Sequence, residues 1–176
     1  MPEGFELPET PESRKERQIG LVIAVIAVVL SIVSALGHET HNDEILAHID
    51  AADQYAFYQA KKERHEQLAL STDALTLNLS PAIQAQSSQL MTKYAAEMKK
   101  LDSDAKGIQA QGDDLMRESH RLARKASVLD LGEIALQIAV VLCSISILTE
   151  QNLFVRMGIS IAVIGTLVAA VGILFL

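Results

Sequence analysis

Residues 101–149 read LDSDAKGIQAQGDDLMRESHRLARKASVLDLGEIALQIAVVLCSISILT, and this stretch decides the fold. Ala105, Ile108, Gly112, Leu115, Ser119, Leu122, Ala126 and Leu129 advance by alternating steps of 3 and 4, the heptad seam of a coiled coil. From Leu131 the polar faces disappear, and the same helix continues as an apolar span to Thr149. Leu90, Tyr94 and Leu101 carry the pattern back towards Ser80-Pro81, a serine N-cap with proline at the first helical position. This is a helix that begins in water and ends in lipid. The other segments read as its partners.

Composition agrees. The chain has 176 residues, 49% of them hydrophobic, and a mean hydropathy of +0.23. Its apolar residues fall in blocks while most of the charge lies in one central segment, the pattern of a membrane protein. A net charge of −7 argues against nucleic acid as a partner, since phosphate neutralisation needs clustered Lys and Arg. The single cysteine, Cys143, cannot close an intrachain disulfide.

Three transmembrane helices are expected. The first, Ile19–Leu36, has 18 residues and no charge, and its ~27 Å of helix is enough for the hydrocarbon core. The second is Leu131–Thr149, with Glu133 and Gln137 near its start, and the third is the uncharged Met157–Leu176. The short link Glu150–Arg156 makes the last two an antiparallel hairpin. Residues 1–18 hold three of the four prolines and five glutamates and read as a disordered acidic tail, ended by Arg14, Lys15 and Arg17. The apolar run that follows is too long for a signal-peptide core, and Ser34-Ala35-Leu36-Gly37 is a poor cleavage site, so an uncleaved anchor is expected.

Each span carries a stripe of small residues: Gly20, Ala24, Ala27, Ser31 and Ser34; then Gly132, Ala135, Ala139, Cys143 and Ser146; then Gly158, Ala162, Gly165, Ala169 and Gly172. Lipid supplies no hydrophobic drive between helices, so association relies on the close approach that small residues permit. The stripes point to tight packing, within one chain or between copies.

Residues 37–130 form the polar insert, with no glycine between His38 and Gly107 and Pro81 as its one proline. It reads as a helical hairpin with its tip near 71–81, where Leu75, Leu77 and Leu79 look like apolar plugs of a turn. In the first arm Ile45, Ile49, Ala52 and Ala56 fall at helical spacing, followed by a weaker seam through Gln59 and Glu63. In the second arm Ile108, Leu115 and Leu122 are expected in the seam. The fold class expected is an all-α membrane protein: three transmembrane helices with a long, coiled-coil-like hairpin inserted between the first and second.

The run Asp53-Gln54-Tyr55-Ala56-Phe57-Tyr58-Gln59-Ala60-Lys61 resembles the aromatic signature of the DUF4337 family of uncharacterised bacterial membrane proteins. The pattern from Glu133 through Ser144, Leu148 and Phe154 to the glycine-rich last span is also similar, so the resemblance covers roughly residues 14–176. It implies the order span, helical insert, two spans, in a bacterial inner membrane. The family has no assigned activity, so no functional residues carry over; Tyr55, Tyr58, Gln59 and Lys61 are candidates for a shared role, or for hairpin packing.

Little chemistry is visible. His41, Glu44 and His48 share one helical face beside Glu39 and Asp43 and are weak metal candidates; the alternative is a solvated acidic turn. Glu133 is the one acid inside a span, within reach of the interface. Gly107-Ile108-Gln109-Ala110-Gln111-Gly112 lacks the Lys-Ser/Thr of a phosphate loop. No nucleophile–base set stands out, and neither catalysis nor a cofactor is expected. His38–Ala60 holds acids and no Lys or Arg, which places the hairpin outside, in the periplasm, and the N-terminus in the cytoplasm. The function expected is a membrane-anchored helical scaffold or interaction protein that associates with itself and offers its hairpin to a protein partner. The alternative is an oligomeric channel or transporter with a collar of Glu39, Asp43 and Glu44 at the membrane mouth.

Overall fold

The computed structural model describes residues 11–77 and 84–175. Its elements are three α-helices: α1, Pro11–Leu77; α2, Gln84–Thr149; and α3, Asn152–Phe175. Each contains a segment long and apolar enough to cross a membrane. Helices of this length follow from composition. α1 has its proline at the first position, where no N–H is needed, and only Gly20 and Gly37 inside it.

Both ends of α1 differ from the sequence expectation. Residues 11–18, read above as part of a disordered tail, belong to α1, with Arg14, Lys15 and Arg17 exposed on its surface. Glu and Arg are good helix formers, and the apolar helix downstream removes the cost of nucleation. At the other end Leu75 and Leu77 are helical and not part of a turn, whereas Leu79, Ser80 and Pro81 lie outside the described residues.

The chain divides into two compact units, the residues up to Asn42 with Arg121–Leu176, and Asp43–His120. In the first, α2 packs against both α1 and α3. Leu129, Leu136, Ala139 and Cys143 of α2 meet Ile26 and Val33 of α1 and Ala162 and Ala169 of α3 in one core. The α2–α3 contact is the closest. A Cβ added at Gly165 would lie 2.8 Å from the Ala135 Cβ and 3.0 Å from the Gly132 carbonyl oxygen. One added at Gly158 would lie 2.6 Å from the Cys143 Sγ, and one at Gly172 3.0 Å from Val128. Gly158, Ala162, Gly165, Ala169 and Gly172 are all buried, so the third stripe packs within the chain, against the second. The first stripe does not: Gly20, Ala24 and Ser31 are exposed, and α1 turns Ile26 and Val33 inward instead.

The link between α2 and α3 is only Glu150 and Gln151, shorter than the expected 150–156. Glu150 takes φ 55°, the left-handed conformation that closes a helix and reverses the chain. The buried Ser146 hydroxyl donates to the Gln151 carbonyl at 2.8 Å and ties the turn down. Elsewhere in the apolar segments hydroxyls are satisfied on their own helix, Ser31 on Ala27, Ser144 on Val140, Ser160 on Arg156 and Thr166 on Ala162. Leu21, Val25, Val28 and Ile32 of α1, Ile134, Ile138 and Val141 of α2, and Val163, Ile164 and Leu167 of α3 are exposed. An apolar belt on all three helices is compatible with a membrane protein.

In the second unit residues of α1 and α2 pair antiparallel. On α2, Leu101, Ala105, Gly112 and Ser119 are buried and Ile108 and Leu115 half-buried, as the heptad spacing requires; Leu122, in the first unit, is half-buried too. On α1 the expected register is wrong. Ile45, Ile49, Ala52, Ala56, Gln59 and Glu63 are exposed, and the inward positions are Glu44, Ala47, Ala51, Gln54, Tyr58, Lys61, His65, Leu68 and Thr72. Those positions also step by 3 and 4, but they mix small residues with long amphipathic ones whose stems pack while their polar ends reach water.

Candidate functional site

The site that the sequence singled out, Tyr55 to Lys61, lies on the α1 side of the hairpin unit. The Tyr55 hydroxyl donates to Asp113 Oδ1 at 2.6 Å. Its ring lies over Gly112, where a Cβ would stand 3.4 Å from ring carbons Cε1 and Cζ and from the Gln54 Cβ. A side chain larger than a methyl would displace the ring. The bond to the carboxylate, desolvation and the Asp113 charge together hold the Tyr55 hydroxyl above its ordinary value of 10.0.

Two ion pairs continue the contact. Lys61 Nζ lies 3.0 Å from Asp104 Oδ2, and Arg64 Nη2 2.9 Å from Glu97 Oε1. As the α1 partner advances from 55 to 61 to 64, the α2 partner recedes from 113 to 104 to 97. Exposed pairs of this kind contribute little stability each. Their distribution along the pair sets register, because a slip of one helix past the other would break all three. Tyr58 is half-buried in the seam and Gln59 is exposed. Of the four motif residues, Tyr55 and Lys61 thus reach across to α2, Tyr58 packs, and Gln59 faces solvent.

Other polar pairs lie within α2. Lys106 and Asp102 sit 2.8 Å apart one turn from each other, which pushes the Asp102 carboxyl below 3.8 and the Lys106 amine above 10.5. Arg117 pairs with Asp114.

The remaining candidates separate. In the first unit His41 Nε2 donates to Asp130 Oδ2 at 3.1 Å, close to where Gly37 meets Leu129 and Asp130. His48 is exposed on the hairpin. Among the described residues no group of three or more His, Cys, Asp or Glu side chains is placed to hold a metal ion. Glu133 accepts from Gln137 Nε2 at 3.0 Å, one turn along α2. An apolar groove of about 450 Å³ runs between α1 and α3 with Leu136 among its lining residues. Its one hydroxyl, Thr166, is spent on the Ala162 carbonyl, so no free polar group converges there to orient a ligand.

Sequence reasoning missed Asp113 and Asp104 as partners of the motif, and Glu97 as the partner of Arg64 beyond it. The available signal was the glycine at a seam position, Gly112, which makes room for an aromatic ring from the facing helix.

The family model described as a domain of unknown function, DUF4337, matches residues 15–175, and the chain belongs to that family. No curated protein matches the chain, and no solved structure does.

Proposed function

We propose that this member of the DUF4337 family is a membrane-anchored helical scaffold that associates with itself, the hairpin of residues 43–120 being its interaction element. Three apolar segments, one in each helix, serve as the anchor. The N-terminal side faces the cytoplasm of a bacterial cell, and the hairpin, whose first turns carry acids and no Lys or Arg, stands on the periplasmic side.

The observation that carries this reading is the construction of the hairpin. Two helices facing each other bury one narrow seam, and among the described residues no third layer covers the groove that Lys61, Arg64, Glu97 and Asp104 line between them. What such a body offers is surface, and its register is held by Tyr55–Asp113, Lys61–Asp104 and Arg64–Glu97. Holding an interaction surface in fixed register is the use to which this geometry is best suited.

The mass of the protein extracted in mild detergent tests the reading. A defined multiple of the 19.1 kDa chain is expected. A single chain at every concentration would contradict it.

A further inference from the structure

The first arm of the hairpin has two seams, and α2 covers only one of them. Facing α2 are residues 44, 47, 51, 54, 58, 61 and 65. The other seam is Ile45, Ile49, Ala52 and Ala56, which advance by 4, 3 and 4. At 100° per residue its centre lies about 150° round the helix from the first, nearly opposite. Ile45 is 52% exposed and Ile49 50%, with Leu46 beside them at 59%. A helix covered on one side by its partner is expected to be polar on the other. Here Ile45, Leu46 and Ile49 point away from the seam that the hairpin itself closes.

We infer that this outward face of α1 binds the same face of a second copy of the chain, with the two α1 helices parallel. The inference rests on the reading of the protein as a self-associating membrane scaffold and names the surface by which it associates. Three observations choose the occupant. First, among the described residues α2 exposes no large apolar side chain between Ser87 and His120. Among the described residues of the hairpin the exposed large apolar side chains, Ile45, Leu46, Ile49, Phe57 and Leu70, all belong to α1, so the match for this face lies on another α1, and a self-complementary patch makes an isologous pair.

Second, copies anchored in one membrane the same way up carry α1 in the same direction, so each residue meets its own counterpart. Ile49 and Ala56 then occupy a positions, and Ile45 and Ala52 occupy d positions.

Third, the flanking polar residues fit. In this register His48 is a g residue and Asp53 an e residue. In a parallel pair a g residue faces the e residue five positions later on the other helix. His48 of each copy thus meets Asp53 of the other, and the two-fold axis makes the tie twice. Neither side chain has a hydrogen bond or an ion pair among the described residues. An antiparallel pair would instead set g residues against g and e residues against e, and so would part His48 from Asp53.

The test uses the full chain in native membranes, with Cys143→Ala as background. Ile45→Cys, Ile49→Cys and, as an off-seam control on the same helix, Asp50→Cys are oxidised in turn. Disulfide-linked pairs are expected for 45 and 49 and not for 50. Ile49→Glu, at a site that the single chain leaves exposed, should keep the helical content and lower the mass in detergent. A protein that is a single chain in detergent and forms no cross-link anywhere overturns both this inference and the scaffold reading. A protein of multiple mass that cross-links at 50 but not at 45 or 49, or whose mass Ile49→Glu leaves unchanged, overturns the inference alone.

Discussion

Tyr55 and Asp113 lie 58 residues apart in the chain and 2.6 Å apart in space, the phenol of one helix donating to the carboxylate of the other above Gly112. The contact joins an aromatic, a carboxylate and a glycine, each needed for the other two to fit. Tyr55→Phe keeps the ring and loses the bond, so it should lower the melting temperature modestly at unchanged helical content. Gly112→Leu should cost more, because its side chain occupies the place of the ring. Equal melting temperatures for Gly112→Leu and wild type would show that the ring does not need this gap.

The same bond makes a pH prediction. The Tyr55 hydroxyl is held above its ordinary 10.0 in the folded protein, so its neutral form is the one the fold favours. That contribution is complete below pH 10.0 and is lost as pH rises through the raised value. The stability difference between wild type and Tyr55→Phe should be constant at neutral pH and shrink in alkali. Thermal unfolding of the two in parallel from neutral to strongly alkaline buffer measures it; a difference that stays constant throughout would place the hydroxyl away from Asp113.

Gly165 is a position where even one carbon does not fit, with the Ala135 Cβ at 2.8 Å and the Gly132 carbonyl at 3.0 Å from an added Cβ. The carbonyl is backbone and cannot rotate away. Gly165→Ala should cost about 1–3 kcal/mol of stability, the range for overpacking, and Gly165→Leu more. Ile164→Leu, on the exposed side of α3, should be nearly silent. Because the contact is within the chain, the loss should appear in the melting temperature at constant oligomeric mass. A change of mass without a change of stability would move the stripe to an interface between copies.

Glu150 sits at φ 55° just past the end of α2. A residue with a Cβ pays about 1–2 kcal/mol in this conformation and glycine does not. Part of that gain is offset by the greater freedom of glycine in the unfolded chain. Glu150→Gly should therefore leave the melting temperature equal or higher, whereas the β-branched Glu150→Val should lower it. The reverse order would contradict a left-handed residue at 150.

Much of this was legible in the residues. Alternating steps of 3 and 4 from Ala105 to Leu129 placed the inward face of α2 correctly, since its seam is filled mostly by apolar or small side chains. The seam of α1 was misplaced because hydrophobicity there follows the wrong face. Ile45 and Ile49 are the strongest apolar signals in the arm and are exposed, while Glu44, Gln54, Lys61 and His65 turn inward with their stems packed. The glycine stripe of α3 was visible, but its partner was not. Three spans carried similar stripes, and only the approach of Gly165 to Gly132 and Ala135 separates the one that meets it from the one left exposed on α1. The motif at Tyr55–Lys61 was seen without its partners, since nothing local in Asp104 or Asp113 marks it as facing a tyrosine or a lysine about 50 residues away.

The proposed scaffold needs three membrane crossings with the hairpin on one side. Single cysteines at Glu16, Gln89 and Gln151, all exposed, report on it directly in a Cys143→Ala background. A membrane-impermeant thiol reagent added to intact cells should label position 89 alone, and all three positions once the membrane is opened. Labelling of 16 and 151 alone would keep the three crossings and reverse the orientation. Labelling of 89 together with either of the others in intact cells would contradict the three-span anchor.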